Sequence, residues 1–382
     1  MRIGLISGEY PPMRGGVGDY SQALAEALRS AGHAVAILTD RRAAEPDGAA
    51  AASLNAAIRR WHWPSLLTMR RWAKRERLDI INLQFETAAY GMSAAIHALP
   101  WVLGVPLVTT FHDLRAPYLF PKAGRLRDQA LWWLVRGSAG VIVTDAADGD
   151  RLRDQVPGRA VRVIPIGSNI PTTPPPGFNR QQWRHDHAVN DAALLIGYFG
   201  FMNASKGIEA LVDGLAQAVS HGLDGQLVLI GGGVTESDPG AAAYTTAIRS
   251  RLTGAGLTAR THWTGFVAPD QVSGWLLACD VVALPFSDGL SLRRGSFLAA
   301  LAHGCTILTT RPSAPIDGLD SAAAWVTAGD VAGIADQLTA LAADPERRAA
   351  LGIAAAQFAE RFTWPTIAAQ TVAFYAECLA AR

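Results

Sequence analysis

Cysteine is scarce: Cys279, Cys305 and Cys378 are scattered, with no CxxC pair and no even framework. That argues against a disulfide-stapled module and leaves reduced thiols in a cytoplasmic protein as the expectation. Lysine is equally rare, three residues against 31 arginines, so arginine richness by itself does not point to an anionic ligand. Long apolar runs are missing too. The stretch "LPWVLGVPLV" (99–108) is too short to cross a bilayer and holds two prolines. The opening "MRIGLIS" lacks a basic segment followed by a long apolar one, so it reads as a first strand rather than a signal. The nine histidines are dispersed without paired ligand spacing, so no metal is expected. With a formal net charge of +1, no nucleic-acid partner is expected either.

What is present has the composition of a globular protein, 49% apolar and 18% charged over 382 residues, a length that suits two domains. Residues 1–170 carry 21 basic and 15 acidic side chains (+6), and the remainder 13 and 18 (−5). Short apolar runs alternate with longer amphipathic segments, the pattern of a parallel sheet covered by helices. Strands are expected at 2–7, 34–39, 79–83, 106–111, 140–144 and 161–166. The proline-rich "IPTTPPPG" (170–177) can be neither helix nor central strand and serves as a linker. The alternation then restarts, with strands at 193–200, 225–233, 260–266, 281–286 and 305–310. Two doubly wound α/β domains follow, 1–170 and 171–360, with a last helix in 361–382 returning to the first. Ligands of such sheets bind beyond the strand C-termini.

Several stretches bear on chemistry. "GEYPPMRGGVGDY" (8–20) joins the first strand to the first helix, and its glycine N–H groups and helix N-terminus suit a phosphate. A flexible connection is the plainer reading, and with Asp40 in the acidic role a dinucleotide fingerprint also stays open. "DGD" (148–150) has metal-binding spacing but lies at a helix start, where a solvated turn is expected. In "PFSDGLSLRRGSFLAALAHG" (285–304) two arginines precede a helix that contains no carboxylate. A helix dipole disfavours cations at that end, so the placement makes sense beside an anion.

Motifs in order along nearly the whole chain resemble glycosyltransferase family 4, of GT-B fold. They are "YPPMRGGVGDYSQALAEALRSAGHAVAILT" (10–39), "TTFHDL" (109–114), "VRVIPIGSNI" (161–170), "FGFMNASKGIEALVDGLAQA" (199–218), "LVLIGGG" (227–233), "TGFVAPDQVSGWLLACDVVALPF" (264–286) and "LAALAHGCTIL" (298–308). The resemblance implies sugar transfer from a nucleotide diphosphate sugar with retention of configuration, no cofactor and no required metal. It implies catalytic roles for His112, Lys206 and Asp288. Donor contacts are expected from Gly15, Gly16, Lys206, Val267, Arg293, Arg294, Gly295 and Ser296, and acceptor contacts from Glu86 and Asn169. The chain departs from the family pattern at three places. Phe201 stands where an arginine is usual five residues before Lys206, and Ser291 and Ala299 stand where two glutamates are usual. Asp288 is expected to take the sugar-hydroxyl role, and the guanidinium pair of Arg293 and Arg294 to hold the pyrophosphate bidentately in place of the missing cation.

"IRRWHWPSLLTMRRWAKRER" (58–77) holds seven basic residues, one acid and three tryptophans, and "KAGRLRDQALWWLVRG" (122–137) is a similar face. Either they lie on anionic lipid at the inner face of the membrane, or they are amphipathic helices with tryptophans packed inward. The expected function is a retaining hexosyltransferase making cell-envelope polysaccharide from a saccharide or lipid-linked acceptor. A weakly catalytic nucleotide-sugar-binding protein and a nucleotide-sugar epimerase are the alternatives.

Overall fold

The structure, a computed structural model, describes residues 1–13, 15–43, 53–114, 124–231 and 239–381; within these, the side chains of 124–128 and 239–241 are not described. The chain divides into two units, Met1–Gly167 with Phe362–Arg382, and Ser168–Arg361.

The first unit opens with β1 (Arg2–Ser7), α1 (Gly16–Ser30), β2 (Ala34–Asp40), β3 (Leu54–Ile58), α2 (Trp63–Arg75) and β4 (Ile80–Phe85). It continues with α3 (Leu99–Val102), β5 (Leu107–Phe111), α4 (Gly124–Gly137), β6 (Gly140–Val143), α5 (Ala146–Gln155) and β7 (Val161–Val163). These seven strands form one parallel sheet in the order β3-β2-β1-β4-β5-β6-β7. The central strands are buried on both faces, which is why they read as near-continuous apolar runs.

The second unit begins with α6 (Arg180–Asp186), β8 (Leu194–Phe199), α7 (Ile208–Ser220), β9 (Gly225–Ile230), α8 (Pro239–Gly254) and β10 (Thr261–Gly265). After α9 (Pro269–Ala278) come β11 (Val281–Leu284), α10 (Gly295–Ala302), β12 (Ile307–Thr310), β13 (Ala324–Val326), α11 (Val331–Ala343) and α12 (Pro345–Ala359). Its parallel sheet runs β10-β9-β8-β11-β12-β13. The last helix, α13 (Trp364–Ala380), belongs to the first unit and packs on α1.

In each sheet the order reverses once, between β1 and β4 and between β8 and β11. Loops leaving neighbouring strands there diverge to opposite faces and open a crevice. Amphipathic helices close the faces: α7 buries Ile208, Leu211, Val212 and Leu215, each worth about 1.5–3 kcal/mol of transfer free energy.

Two strands are additions to the sequence reading, β3 and β13. Both are edge strands, and β3 ("LNAAI") has little β-branched character. Pairing with β2 (Ile37 opposite Leu54) makes it a strand, and that information is not local. The basic segment therefore starts as strand, and its helix begins only at Trp63. Pro64 suits the first turn, and the Ser65 hydroxyl accepts the His62 N–H at 3.1 Å.

Candidate active site

In the first unit, three loops leave the C-terminal ends of β1, β4 and β5. The first does not leave the start of α1 open. Glu9 turns back so that its Oε1 accepts the N–H groups of Val17 (3.0 Å) and Gly18 (3.2 Å). Burial pushes the Glu9 carboxyl above the usual range against the pull of those two amides, and the charges of Glu86 and Asp19 push the same way. A Cβ at Gly15 would displace the Glu9 carboxylate from this position, whereas Gly16 faces open space. The helix end expected to meet phosphate thus already holds an anion of the chain's own. Glu86 likewise caps a short turn, accepting from Ala88 (3.1 Å) and Ala89 (2.8 Å). His112 follows β5. Its backbone N–H extends the ladder to Phe85 O at 3.1 Å, its Nε2 lies 2.9 Å from Gln84 Oε1, and its ring meets Tyr20 edge-on at 4.7 Å.

In the second unit, the β8 and β11 loops knit together. Gly200 follows β8, and Lys206 closes a short 3-10 turn, Ala204–Lys206, before Gly207 (φ +67°), the N-cap of α7. Ser287 N–H donates to Ser205 O at 3.1 Å, and the Ser287 hydroxyl to Ala204 O at 3.0 Å. This seam brings two cations onto one ring. Lys206 Nζ stands 5.2 Å and the Arg294 guanidinium carbon 4.8 Å from the centre of Phe286. Arg294 also pairs with Asp288 and reaches the Ser205 hydroxyl at 3.4 Å. Burial first, then the neighbouring Arg294, bring the Lys206 pKa down to about 8, with Asp288 partly opposing.

Arg294 is the N-cap residue of α10, which has no side-chain cap and no acid in its first turn. Ser296, in that turn, is only 7% exposed, and its hydroxyl has no partner among the described residues. It lies across from Gly200, where an added Cβ would stand 3.9 Å from the hydroxyl oxygen. Two adjacent cations that raise each other's cost, an uncapped helix N-terminus and an orphaned buried hydroxyl share one need. A compact, doubly charged anion such as a diphosphate supplies it.

Of the residues singled out from sequence, the structure brings together Lys206, Asp288, Arg294, Gly295 and Ser296. Of the adjacent arginines, Arg294 is the one placed over the Phe286 ring, and the Arg293 backbone N–H donates to Ser291 Oγ at 3.3 Å. Lys206, from the other loop, joins Arg294 on that ring. Phe201 points outward, 65% exposed, its backbone carbonyl held by Tyr198 Oη at 3.0 Å. Val267 is half-buried in the loop after β10, and Asn169 is exposed at the start of the second unit. Asp148 and Asp150 sit at the start of α5, where Asp150 pairs with Arg153 at 2.7 Å. Among the described residues no group of three His, Cys, Asp or Glu is placed to hold a metal.

Sequence reasoning missed Glu9, Phe286 and the pair Asn82 and Gln84. A signal for the last existed: polar residues at alternate positions of "INLQF", in a strand otherwise apolar, share one buried face.

Residues 14–170 match the model of Glycosyltransferase Family 4, and residues 193–344 that of Glycosyl transferases group 1. The chain is 28% identical to alpha-D-kanosaminyltransferase of Streptomyces kanamyceticus over 59% of its own length, spanning 58% of that protein. It is 28% identical to the D-inositol 3-phosphate glycosyltransferase of Paenarthrobacter aurescens, covering 96% of this chain and 93% of the relative. Among solved structures, Anabaena Alr3699/HepE in complex with UDP and glucose superimposes with a TM-score of 0.74 at 19% identity, over 99% of this chain and 100% of that one. That likeness shows the fold.

Proposed function

Given that this chain belongs to glycosyltransferase family 4, with the GT-B fold and nucleotide-sugar donors of that class, we propose that it transfers a hexosyl group to an acceptor hydroxyl with retention of configuration. The observation that carries the reading is the Lys206–Arg294 pair on Phe286 at the uncapped start of α10. The donor's diphosphate bridges the two cations, accepts N–H groups from Gly295 onward, and gives the Ser296 hydroxyl its partner. Asp288, released from Arg294 by the phosphate, turns to the sugar hydroxyls. Val267 is proposed to contact the base, and His112 keeps the sugar-contacting role that the family resemblance implies.

The bond from the anomeric carbon to the phosphate oxygen breaks, leaving oxocarbenium character on the sugar. The acceptor oxygen bonds to the same face, and its proton passes to the leaving phosphate. Lys206 and Arg294 neutralise charge as it develops on the diphosphate, which is where electrostatic stabilisation has most effect. With both cations supplied by side chains, the reaction proceeds without a metal, and EDTA leaves the rate unchanged.

The test is a panel of UDP-, GDP- and ADP-sugars with saccharide and lipid-linked acceptors, following nucleoside diphosphate release by wild type and by Arg294→Ala. Acceptor-dependent release that the substitution abolishes is expected. Tight donor binding with no release across the panel would favour the binding protein instead.

The acceptor side is proposed to work at an anionic membrane surface, making cell-envelope polysaccharide in the cytoplasm. No helix among the described residues is long and apolar enough to cross a membrane. Trp72 and Met69 of α2 face the core, as does Trp61 before it, but Trp63, Leu67, Arg70, Arg71 and Lys74 share the outward stripe, and α2 contains no acid. Nearby, Trp101 of α3 and Trp133 of α4 stack at 5.9 Å, 60% and 50% exposed. Of the second basic segment, residues 122–123 and the side chains of 124–128 lie outside the described residues. Wild type should float with vesicles containing anionic lipid and stay behind with neutral ones. Loss of binding in Trp63→Ala/Leu67→Ala supports the surface, and equal flotation with neutral lipid refutes the electrostatic part.

A further inference from the structure

His112 is held by more than one hydrogen bond. Beneath it a chain of polar groups runs through the core of the first unit, with Asn82 and Gln84 fully buried and Thr110 1% exposed. Asn82 Nδ2 donates to the Val108 backbone carbonyl at 3.3 Å and to Thr110 Oγ1 at 2.9 Å. A backbone carbonyl only accepts, so the Asn82 amide has one possible orientation, with Oδ1 turned the other way. That oxygen accepts from Gln84 Nε2. The Gln84 amide is thereby oriented in its turn, and its Oε1 faces His112 Nε2 at 2.9 Å. An acceptor at that distance requires the hydrogen to be on Nε2.

The register explains how the sequence builds this. Gln84 lies opposite Thr110 and Asn82 opposite Val108 in the β4–β5 ladder. Side chains two residues apart point to one face, so 82 and 84 on one strand and 108 and 110 on the next line a single stripe that ends at 112. Reversing the Asn82 amide would leave like groups facing each other at Val108 O and at Gln84 in a stripe that is buried, so the two amide orientations are coupled.

We propose that Val108 O, Thr110, Asn82 and Gln84 form a relay that locks neutral His112 in its Nε2–H tautomer. The lone pair is then on Nδ1, and whatever meets that side of the ring meets an acceptor. Gln84 and Asn82 are positioning residues acting through His112. The consequence for turnover rests on the proposed role of His112 at the sugar; the tautomer itself does not.

The experiment uses the full-length protein labelled with ¹⁵N-histidine, with His112→Asn assigning the His112 signals. Two-bond ¹H–¹⁵N spectra are recorded on the alkaline side of the ring's titration, where the two nitrogens of a locked tautomer differ most. Wild type should show Nε2 as the hydrogen-bearing nitrogen with no averaging. A free imidazole leans the same way, so the variants decide. Gln84→Met and Asn82→Leu should each move both nitrogens toward averaged values and lower kcat about 10–100-fold. The double variant should be no worse than Gln84→Met alone, because the relay acts as a unit. An Nδ1–H ring in wild type, or an unchanged tautomer in both single variants, overturns the proposal. If Asn82→Leu does not fold, Thr110→Val, which removes the hydroxyl's contacts with the Asn82 amide but leaves that amide its bonds to Val108 O and Gln84, must still show partial averaging. Should wild type show no transferase activity at all, the spectra still decide the relay, so its failure and that of the functional reading remain distinguishable.

Discussion

Lys206→Ala is expected to lower kcat/KM for the donor by about 10²–10³-fold, and Arg294→Ala nearly as much. Each side chain supplies part of the positive charge that the leaving diphosphate needs, and Phe201, at the usual arginine position, points outward and supplies none. The two losses should combine to less than their product, because both cations act on the same anion. Arg293→Ala, which leaves the cradle on Phe286 intact, should cost far less.

Steady-state kinetics across pH give the same prediction a second signature. Lys206 has its pKa lowered from 10.5 to about 8 by burial and Arg294. Between those values the unfolded chain binds this proton more readily than the folded one, so the unliganded protein gains stability from this group as pH rises through that window. Donor binding runs the opposite way, since the anion favours the ammonium. The kcat/KM for donor should therefore fall as pH rises through about 8, and the fall should vanish in Lys206→Ala. A flat alkaline limb in wild type would mean that the ammonium does not hold the phosphate.

Gly207→Ala should be the most damaging change of a single methyl group. Gly207 has φ +67°, a conformation that costs an alanine about 1–2 kcal/mol. The added Cβ would also be driven into the Pro285 carbonyl oxygen, a backbone atom that cannot swing aside. Relief requires the β8 and β11 loops to part, breaking the Ser287–Ser205 and Ser287–Ala204 bonds and separating Lys206 from Arg294. A stability loss of about 2–4 kcal/mol is expected, together with a loss of donor affinity beyond that of a control such as Gly222→Ala. Gly222 also has positive φ (+102°), but open space surrounds its missing Cβ. Equal effects at the two glycines would show that backbone strain, not the seam, was the cause. Urea denaturation and donor titration separate the two.

Much of this was written in local chemistry. Eleven of the thirteen strands among the described residues are visible as short apolar runs, because a parallel sheet covered on both faces needs apolar side chains at nearly every position. Lys206, Asp288, Arg294 and the acid-free start of α10 are likewise legible, since each is an anomaly that local sequence does not explain. β3 and β13 are not legible, being edge strands whose identity comes from the neighbour they pair with. Nor is it possible to tell from "SLRRGS" which arginine joins Lys206, because the answer depends on how a loop of β11 meets a loop of β8, some 80 residues earlier in the chain. The glycine-rich loop after β1 makes the same point in reverse. Its sequence suits a phosphate, yet folding brings Glu9 back onto the helix amides. The sequence by itself determined the alternation, the family and the cations available. Only tertiary structure decided which charges meet, because charge–charge and hydrogen-bond energies depend on distances between segments that periodicity does not specify.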